Sequence, residues 1–395
     1  MRKKLVYYLI GIFISILTLL FGNLICNDED TGYLIEGEDP DNLIDGPYVF
    51  YDNDSTITVK EIIFGKDKYS PYSEKHKLVY SNPCILTCKK TGNFPKNFSF
   101  PLLMKHTVQP AIYEKPDKLI AISDIEGNFN TFYNLLVVNG VIDSTFNWTF
   151  DDGHLVLLGD FCDRGIHVTE CLWLIYKMDQ EAEKYGGKVH YILGNHEIMN
   201  LQNDTRYVSS KYHNIAEIFE IEIFELYDKK TEFGRWLRSK NVVEQIGENI
   251  YTHAGLTPEL LNYNLSLEEI NKIVRAHYDK PYKTLTNKSE KLKVLLRSQS
   301  PYWYRGYFMA RSNYEKSSNT EIMAILEKYN AKTIIVGHTL MEHIESKYDG
   351  KVIAIDVPHE LDHYKYIPDD SVSEALMIEK DTYYIIDKKG NKEKL

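Results

Sequence analysis

The stretch HLVLLGDFCDRG, residues 154–165, gives the strongest indication of the fold. Its first half is an unbroken apolar run, which is typical of a buried strand. Asp160, Asp163 and Arg164 follow directly, so we predict that these charged side chains lie just beyond the carboxyl end of that strand. Open α/β sheets bind their ligands at this edge. The stretch therefore predicts an α/β fold with a charged site at one edge of a sheet.

The same pattern occurs on both sides of this stretch. Leu119–Ser123 is strand-like and precedes Asp124, and Val189–Leu193 is another buried run with Asn195 just beyond it. Helical patterns separate the three strands, over Phe129–Ile142 and Val168–Tyr185. This β-α-β-α-β succession is typical of the α/β fold class.

Further strands continue the design toward the C-terminus. Strands near Asn249–His253 and Thr333–His338 again end on a polar residue, in both cases a histidine. The remaining patterns indicate two helices and a final β-hairpin, over Leu267–Tyr278, Glu290–Arg297 and Ala375–Asp387. Alternating segments between Tyr48 and Tyr80 predict a small antiparallel β element ahead of the main domain.

The N-terminus carries a separate signal. Three basic residues, Arg2 to Lys4, precede an apolar run from Leu5 to Phe21, which is the layout of a secretory signal or a single-pass anchor. The basic side should stay cytoplasmic, so we predict that the rest is exported and is membrane-anchored, periplasmic or extracellular. An anchor, a cleaved signal and a lipoprotein joined through Cys26 are all open. The predicted regions are a signal sequence or anchor, an acidic tether with a small β-rich region, and the α/β domain, at 1–26, 27–116 and 117–395.

The net charge of the chain disfavours one class of binding partner. The formal net charge is -11, and excess negative charge repels a phosphate backbone, so we predict no nucleic-acid partner. Among the five cysteines, Cys84 and Cys88 are close in sequence, and their spacing fits either a disulfide or two reduced thiols.

The strand ends carry a narrow set of side-chain types. They deliver Asp124, Glu126, Asp160, Asp163, Arg164, Asn195, His196, Glu197, His253 and His338. Carboxylate, amide and imidazole ligands together suit borderline or hard divalent ions such as Mn, Fe, Zn or Mg. No thiolate cluster is present among them, which disfavours a structural zinc site.

Five motifs resemble those of one enzyme family. SDIEGN at 123–128 resembles G-D-x-H-G, GDFCDRG at 159–165 matches G-D-x-x-D-R-G, and GNHE at 194–197 matches G-N-H-E. THAGL at 252–256 resembles the H-G-G segment, and VGHT at 336–339 resembles the segment of the last metal-binding histidine. In this order, each at a predicted strand end, they resemble the calcineurin-like metallophosphoesterases, in particular the phosphoprotein phosphatase branch.

The segment PYWYRGY at 301–307 further resembles the Shewanella-like protein phosphatases. The resemblance implies a calcineurin-like two-sheet α/β/β/α sandwich with a small N-terminal β-rich accessory region, and it makes 117–395 the catalytic domain. It also implies an enzyme that hydrolyses phosphate monoesters of a phosphorylated protein or small molecule, as a serine/threonine- or tyrosine-type protein phosphatase.

The same resemblance implies a site for two divalent metal ions. Asp124 and Glu126 would complete the coordination of the first ion. Asp160 would bridge the two ions, since one carboxylate offers two oxygens. The second ion is completed by Asn195, His253 and His338. A hydroxide between the ions then attacks phosphorus in line, because such a pair lowers the pKa of bound water.

Four further side chains receive roles from the resemblance. His196 protonates the leaving alkoxide, and Asp163 orients that imidazole. Arg164 clamps the phosphoryl oxygens bidentately, and Arg305 is the second clamp. The displacement takes place without a covalent intermediate.

Two positions depart from the family pattern. Glu126 stands where the family has a histidine, and its anionic oxygens favour hard ions and reduce the positive charge of the site. Leu340 stands where many phosphodiesterases of the wider family have a second histidine, which favours monoesters. A phosphodiesterase or nucleotide pyrophosphatase on the same site, and a catalytically weak surface binding protein, are the open alternatives. A contribution of His359 to the first ion is also open.

Overall fold

The computed structural model describes residues 43–65, 68–89, 96–285, 288–359 and 372–395. Within these ranges the strands are β1 (Asp45–Asn53), β2 (Thr56–Gly65), β3 (Lys68–Lys77), β4 (Ile85–Cys88), β5 (Phe98–Pro101), β6 (Ile112–Tyr113), β7 (Lys118–Ile122), β8 (His154–Leu157), β9 (Lys188–Tyr191), β10 (Val243–Ile246), β11 (Asn249–Thr252), β12 (Thr333–Val336), β13 (Glu345–Lys347), β14 (Val352–Ala354), β15 (Glu374–Glu379), β16 (Thr382–Asp387) and β17 (Lys392–Lys394). The α-helices of the same ranges are α1 (Phe129–Val138), α2 (Val168–Ala182), α3 (Asn195–Leu201), α4 (Ser210–Ile218), α5 (Glu232–Leu237), α6 (Leu267–Arg275), α7 (Glu290–Leu296) and α8 (Asn319–Lys328).

Two six-stranded sheets position the candidate site. One has the strand order β17-β16-β15-β7-β8-β9, and the other has the order β13-β14-β12-β11-β10-β6. In the first sheet β7, β8 and β9 run parallel, and in the second β11, β12 and β14 do so. Helices α1 and α2 connect β7 to β8 and β8 to β9, as crossovers between parallel strands require. Each sheet therefore brings the carboxyl ends of its parallel strands to one edge.

Alternating side chains of β7 place one core between the sheets and another beneath the helices. Leu119 and Ala121 pack in the same cluster as Ile335 of β12, whereas Ile120 and Ile122 belong to the cluster that includes the helices. Helix α2 packs on β9 of one sheet, and α6 packs on β10 of the other. The predicted α/β/β/α arrangement of two sheets flanked by helices is thus confirmed.

Strands β1, β2 and β3 form a separate antiparallel sheet, which we call the accessory sheet. It confirms the β element predicted ahead of the main domain. Its attachment to the helices includes a buried carboxylate, because Glu232 of α5 is 1% exposed and its Oε2 accepts a hydrogen bond from Tyr51 OH at 2.6 Å. Oε1 of the same residue accepts from Tyr176 OH of α2 at 2.7 Å and lies 2.6 Å from His106 Nε2. One side chain thereby joins the accessory sheet to two helices.

Helices α1, α2, α6 and α7 end earlier than the sequence pattern predicted, the last two by three residues and one residue. Helix α1 ends at Val138 because Gly140, at φ 70°, has left the helical conformation. Helix α2 ends at Ala182 and continues as a 3-10 turn over Glu183–Tyr185, and Gly186 at φ 82° then terminates it. For α1 and α2 a left-handed glycine, rather than the apolar periodicity, sets the boundary.

None of the helices in the described ranges is long and apolar enough to cross a lipid bilayer. The predicted signal or anchor at 1–26, with Cys26, lies outside the described residues.

Cys84 and Cys88 are free thiols, so of the two alternatives, a disulfide or two reduced thiols, the structure has the reduced thiols.

We expect Glu232→Gln to lower the free energy of unfolding by about 2 kcal/mol, because an amide oxygen accepts these buried hydrogen bonds more weakly than a carboxylate does. Urea unfolding followed by tryptophan fluorescence measures the change. Glu217→Gln, at an exposed position of α4, is the matched control and should change stability by less than about 0.5 kcal/mol. Equal losses in the two variants would mean that the buried carboxylate does not stabilise the attachment.

Candidate active site

Polar residues that follow the central strands of both sheets meet at one edge. Asp160 follows β8 of the first sheet, and its Oδ2 lies 3.1 Å from Nε2 of His253, which follows β11 of the second. Asp124 follows β7, and its Oδ2 accepts a hydrogen bond at 3.1 Å from the backbone N–H of His338, which follows β12. The convergence predicted from separate strand ends is therefore present in the structure.

Unusual backbone conformations turn these side chains toward one another. Six residues of the cluster have left-handed φ angles, namely Asp124 (55°), Glu126 (51°), Asp160 (56°), Asp163 (70°), Arg164 (58°) and His338 (63°). Such conformations cost about 1–3 kcal/mol each for residues other than glycine and collect at functional sites. Gly194 is needed nearby for another reason, because a Cβ there would overlap the carboxylate of Asp160.

Asp160 lies at the centre of the cluster and is 2% exposed. Its Oδ1 accepts a hydrogen bond from the His196 backbone N–H at 3.0 Å, which leaves Oδ2 facing the imidazoles. Burial acts to raise the pKa of Asp160, but the neighbouring His253 and His196 rings outweigh it and lower the pKa to about 2. The side chain is therefore held as an anion with two oxygens in different surroundings.

Three nitrogen- or amide-bearing side chains surround Oδ2 of Asp160. His253 Nε2 lies 3.0 Å from the side-chain amide of Asn195 and 3.2 Å from His338 Nδ1. The other ring nitrogen of His253, Nδ1, lies 2.5 Å from the Leu158 carbonyl oxygen. A proton on Nδ1 is fixed by that carbonyl, so Nε2 is the ring atom available to a metal ion. Burial, with Arg305 and His253 nearby, lowers the pKa of His338 well below its usual range and keeps this ring neutral.

A second group of side chains lies on the other side of Asp160. The carboxylate of Glu126 forms an ion pair with the guanidinium of Arg164. The Arg164 guanidinium also lies over the ring of Tyr207, 5.6 Å from its centroid. Asp124 accepts a hydrogen bond from the hydroxyl of Ser123. Glu126, which occupies the position of the family histidine, thus contacts the predicted phosphate clamp directly.

The predicted proton donor is held from both sides. His196 Nδ1 lies 2.7 Å from Asp163 Oδ2, and its Nε2 lies 3.8 Å from Asp160 Oδ2. Asp163 is itself fixed by Asn200, whose side-chain N–H donates to Oδ1 at 2.7 Å. The Tyr207 ring packs beside the imidazole with 5.1 Å between ring centroids. With Nδ1 bound to the carboxylate, Nε2 is the ring nitrogen that faces the site.

Arg305 lies on the His338 side of the site. One of its terminal N–H groups donates to the His338 carbonyl, and the same nitrogen lies 3.5 Å from Thr339 Oγ1. Trp303, two residues earlier, packs edge-on against the His338 ring with 5.6 Å between centroids. The site therefore has an arginine and an aromatic ring on each side.

Divalent cations fit this arrangement. The ligand atoms of Asp160, His253 and His338 lie within 4.8 Å of one another, as do those of Glu126, Asp160 and His196. Within the described part of the chain, His338 Nε2 and Glu126 Oε2 are buried and have no hydrogen-bond partner. Burial also raises the pKa of Asp124 to about 6, and bound cations would compensate this buried carboxylate. Carboxylate, amide and imidazole donors are the ligands that borderline or hard divalent ions prefer.

All ten predicted site residues lie in or beside this cluster, and their roles stay predictions. The sequence reasoning missed Asn200, Tyr207, Trp303 and Asp356. Burial, with Asp124 nearby, raises the pKa of Asp356 well above its usual range. Asp356 comes just after β14, so the strand-end pattern that identified the others could have found it. His359, the open candidate for the first ion, is buried and its Nε2 lies 2.9 Å from the Ser123 carbonyl oxygen, so it contacts backbone and belongs to neither ligand group.

Comparison with known proteins identifies the family. Residues 118–342 match the model of the calcineurin-like phosphoesterase family. Shewanella-like protein phosphatase 1 of Plasmodium berghei is 30% identical over 63% of this chain and 72% of that protein, and Shewanella-like protein phosphatase 2 of Arabidopsis thaliana is 30% identical over 41% and 52%. The crystal structure of the cold-active protein-tyrosine phosphatase of a psychrophilic Shewanella species is 31% identical and superposes with a TM-score of 0.76, covering 89% of this chain and 99% of that one. The chain therefore belongs to the calcineurin-like phosphoesterase family and is a metal-binding phosphatase with Shewanella-like relatives.

Proposed function

We propose that this chain hydrolyses phosphate monoesters at a pair of divalent metal ions. The observation that carries the proposal is the position of Asp160, which belongs to both ligand groups. Asp124 and Glu126 complete the site for one ion. Asn195, His253 and His338 complete the site for the other. When bound, such a pair supplies a water that is activated at neutral pH and positive charge for the phosphoryl oxygens.

The chain's own residues bind the phosphate and handle the proton. Arg164, beside Glu126, and Arg305, beside His338, bind the non-bridging oxygens, since a guanidinium offers parallel donors. His196 holds a proton on Nε2 and delivers it to the leaving oxygen, while Asp163 fixes the ring through Nδ1. Asn200 supports Asp163 and thereby keeps the ring orientation constant. No side chain of this set is required to form a covalent intermediate.

The aromatic rings beside the site favour a phosphoprotein substrate, including one that carries phosphotyrosine. Tyr207 and Trp303 are half-buried aromatic rings beside His196 and His338, and such rings pack well against a phenyl leaving group. A solved relative at 31% identity is described as a protein-tyrosine phosphatase, which supports the same choice.

Metal preference and location complete the proposal. Glu126 makes the first ion site entirely carboxylate, together with Asp124 and Asp160, so manganese or magnesium suits it better than a softer ion.

The basic and apolar N-terminus predicted to be a signal or anchor supports export, with the substrate on the outer side of the membrane.

Purified protein with manganese should hydrolyse p-nitrophenyl phosphate, and Asp160→Asn should lower kcat by about 100-fold or more, because one neutral amide cannot bridge two cations. Initial rates of p-nitrophenol release measure the effect. Asp54→Asn, at an exposed carboxylate in the turn between β1 and β2, is the control and should keep full activity. Undiminished activity of Asp160→Asn would contradict the proposed site, and faster hydrolysis of bis-p-nitrophenyl phosphate would favour the phosphodiesterase alternative.

The proton-donor role of His196 predicts a dependence on the leaving group. We expect His196→Gln to lower kcat about 100-fold on phenyl phosphate but much less on p-nitrophenyl phosphate, because nitrophenolate departs without a proton. Parallel steady-state kinetics on the two esters provide the comparison. An equal loss on both esters, accompanied by loss of bound manganese, would instead identify His196 as a metal ligand.

A further inference from the structure

A buried ion pair connects the accessory sheet to the loop that carries Arg164. Lys211, in the first turn of α4, has a side chain that is 3% exposed, and its Nζ lies 2.6 Å from Oδ2 of the fully buried Asp45 in β1. The same ammonium group donates a hydrogen bond to the Ile166 carbonyl at 2.6 Å. One charge therefore joins β1 to the backbone two residues after the predicted phosphate clamp.

The segment around the start of α4 holds the same loop at two more points. The Arg164 backbone N–H donates to the Tyr207 carbonyl at 2.9 Å. Tyr212 OH accepts a hydrogen bond from the Val168 backbone N–H at 2.7 Å, at the beginning of α2. The loop from Arg164 to Val168 is thus fixed at its start, middle and end by residues 207–212.

Asp45 is itself held by its own sheet and by α2. Tyr48 OH donates to Asp45 Oδ1 at 2.8 Å and lies 3.0 Å from Thr169 Oγ1. A buried ion pair contributes little net stability over apolar packing, because both ions lose their hydration. Its directional contacts nevertheless fix the geometry of the backbone that it binds. The pair therefore fits a positioning role better than a purely stabilising one.

We propose that Lys211 is a positioning residue for Arg164, and that the accessory sheet contributes to phosphate binding through Asp45. The inference rests on the proposed function, since it takes Arg164 as a phosphate ligand. Arg164 has a left-handed φ of 58°, which its backbone contacts must maintain. Without the ammonium group, the Ile166 carbonyl loses its donor and the loop relaxes. The guanidinium then keeps its charge but loses its orientation, while the metal ligands stay in place.

The test is calorimetric binding of inorganic phosphate to the manganese-loaded full chain. The variant Asp45→Asn with Lys211→Met removes both charges of the pair and leaves the nearby Glu170 carboxylate with its contact to His167 at 3.2 Å. The matched control is Asp179→Asn with Lys240→Met, which removes a less deeply buried ion pair, 2.7 Å apart, between α2 and the segment before β10. We expect the first variant to raise the Kd of phosphate about 10-fold with unchanged manganese content, and the control to raise it less than about 2-fold.

Equal phosphate affinities of the two double variants would overturn the proposal, whether both are weakened or neither is. Should the first variant fail to fold, Asp45→Asn alone makes the same test, because the ammonium loses the carboxylate at 2.6 Å and keeps the nearby Glu170 as a counter-charge, so the Kd of phosphate should rise about 3-fold. An unchanged Kd in that variant would also overturn the proposal. Hydrolysis of p-nitrophenyl phosphate by the unaltered chain is measured separately, so a failure of the proposed function is distinguishable from a failure of this inference.

Discussion

Buried negative charge is the constraint on which this site depends. The carboxylates of Asp124, Asp160, Asp163 and Asp356 all lie in one buried cluster. Carboxylates are buried only where counter-charges or hydrogen bonds compensate the loss of water. Imidazoles compensate Asp160, whereas burial raises the pKa of Asp124 to about 6 and that of Asp356 well above its usual range. The site therefore concentrates buried negative charge, which divalent cations can neutralise.

Hydrogen bonds to the surrounding backbone hold this cluster in place. Glu197, which is 0% exposed, accepts hydrogen bonds from the backbone N–H groups of Asp160, Phe161 and Gly194 at 2.8–2.9 Å. It thereby fixes the strained turn after β8 against the start of α3. A site whose ligands are held in place before the cation arrives loses little conformational entropy on binding it. The same rigidity explains why the site tolerates so many left-handed residues.

Much of the fold and the site could be predicted because both depend on local patterns. The apolar run of β8 and the charged residues after it were enough to predict the strand, the sheet edge and the position of Asp160 at that edge. Asn200 was missed because a polar residue on a helix usually faces solvent, and its contact with Asp163 arises only when α3 packs beside the loop. The ion pair between Asp45 and Lys211 joins residues far apart in sequence, so no local pattern could reveal it. Glu126 was identified as a departure from the family, but its contact with Arg164 required the structure.

The proposed mechanism depends on one carboxylate, that of Asp160, binding two cations at once. Anomalous diffraction from crystals grown with manganese, combined with mass-spectrometric counting of metal per chain, locates and counts these ions. We expect two manganese ions per chain, both in contact with Asp160 and separated by about 3.5–4 Å. A single ion, or two ions of which only one contacts Asp160, would contradict this mechanism.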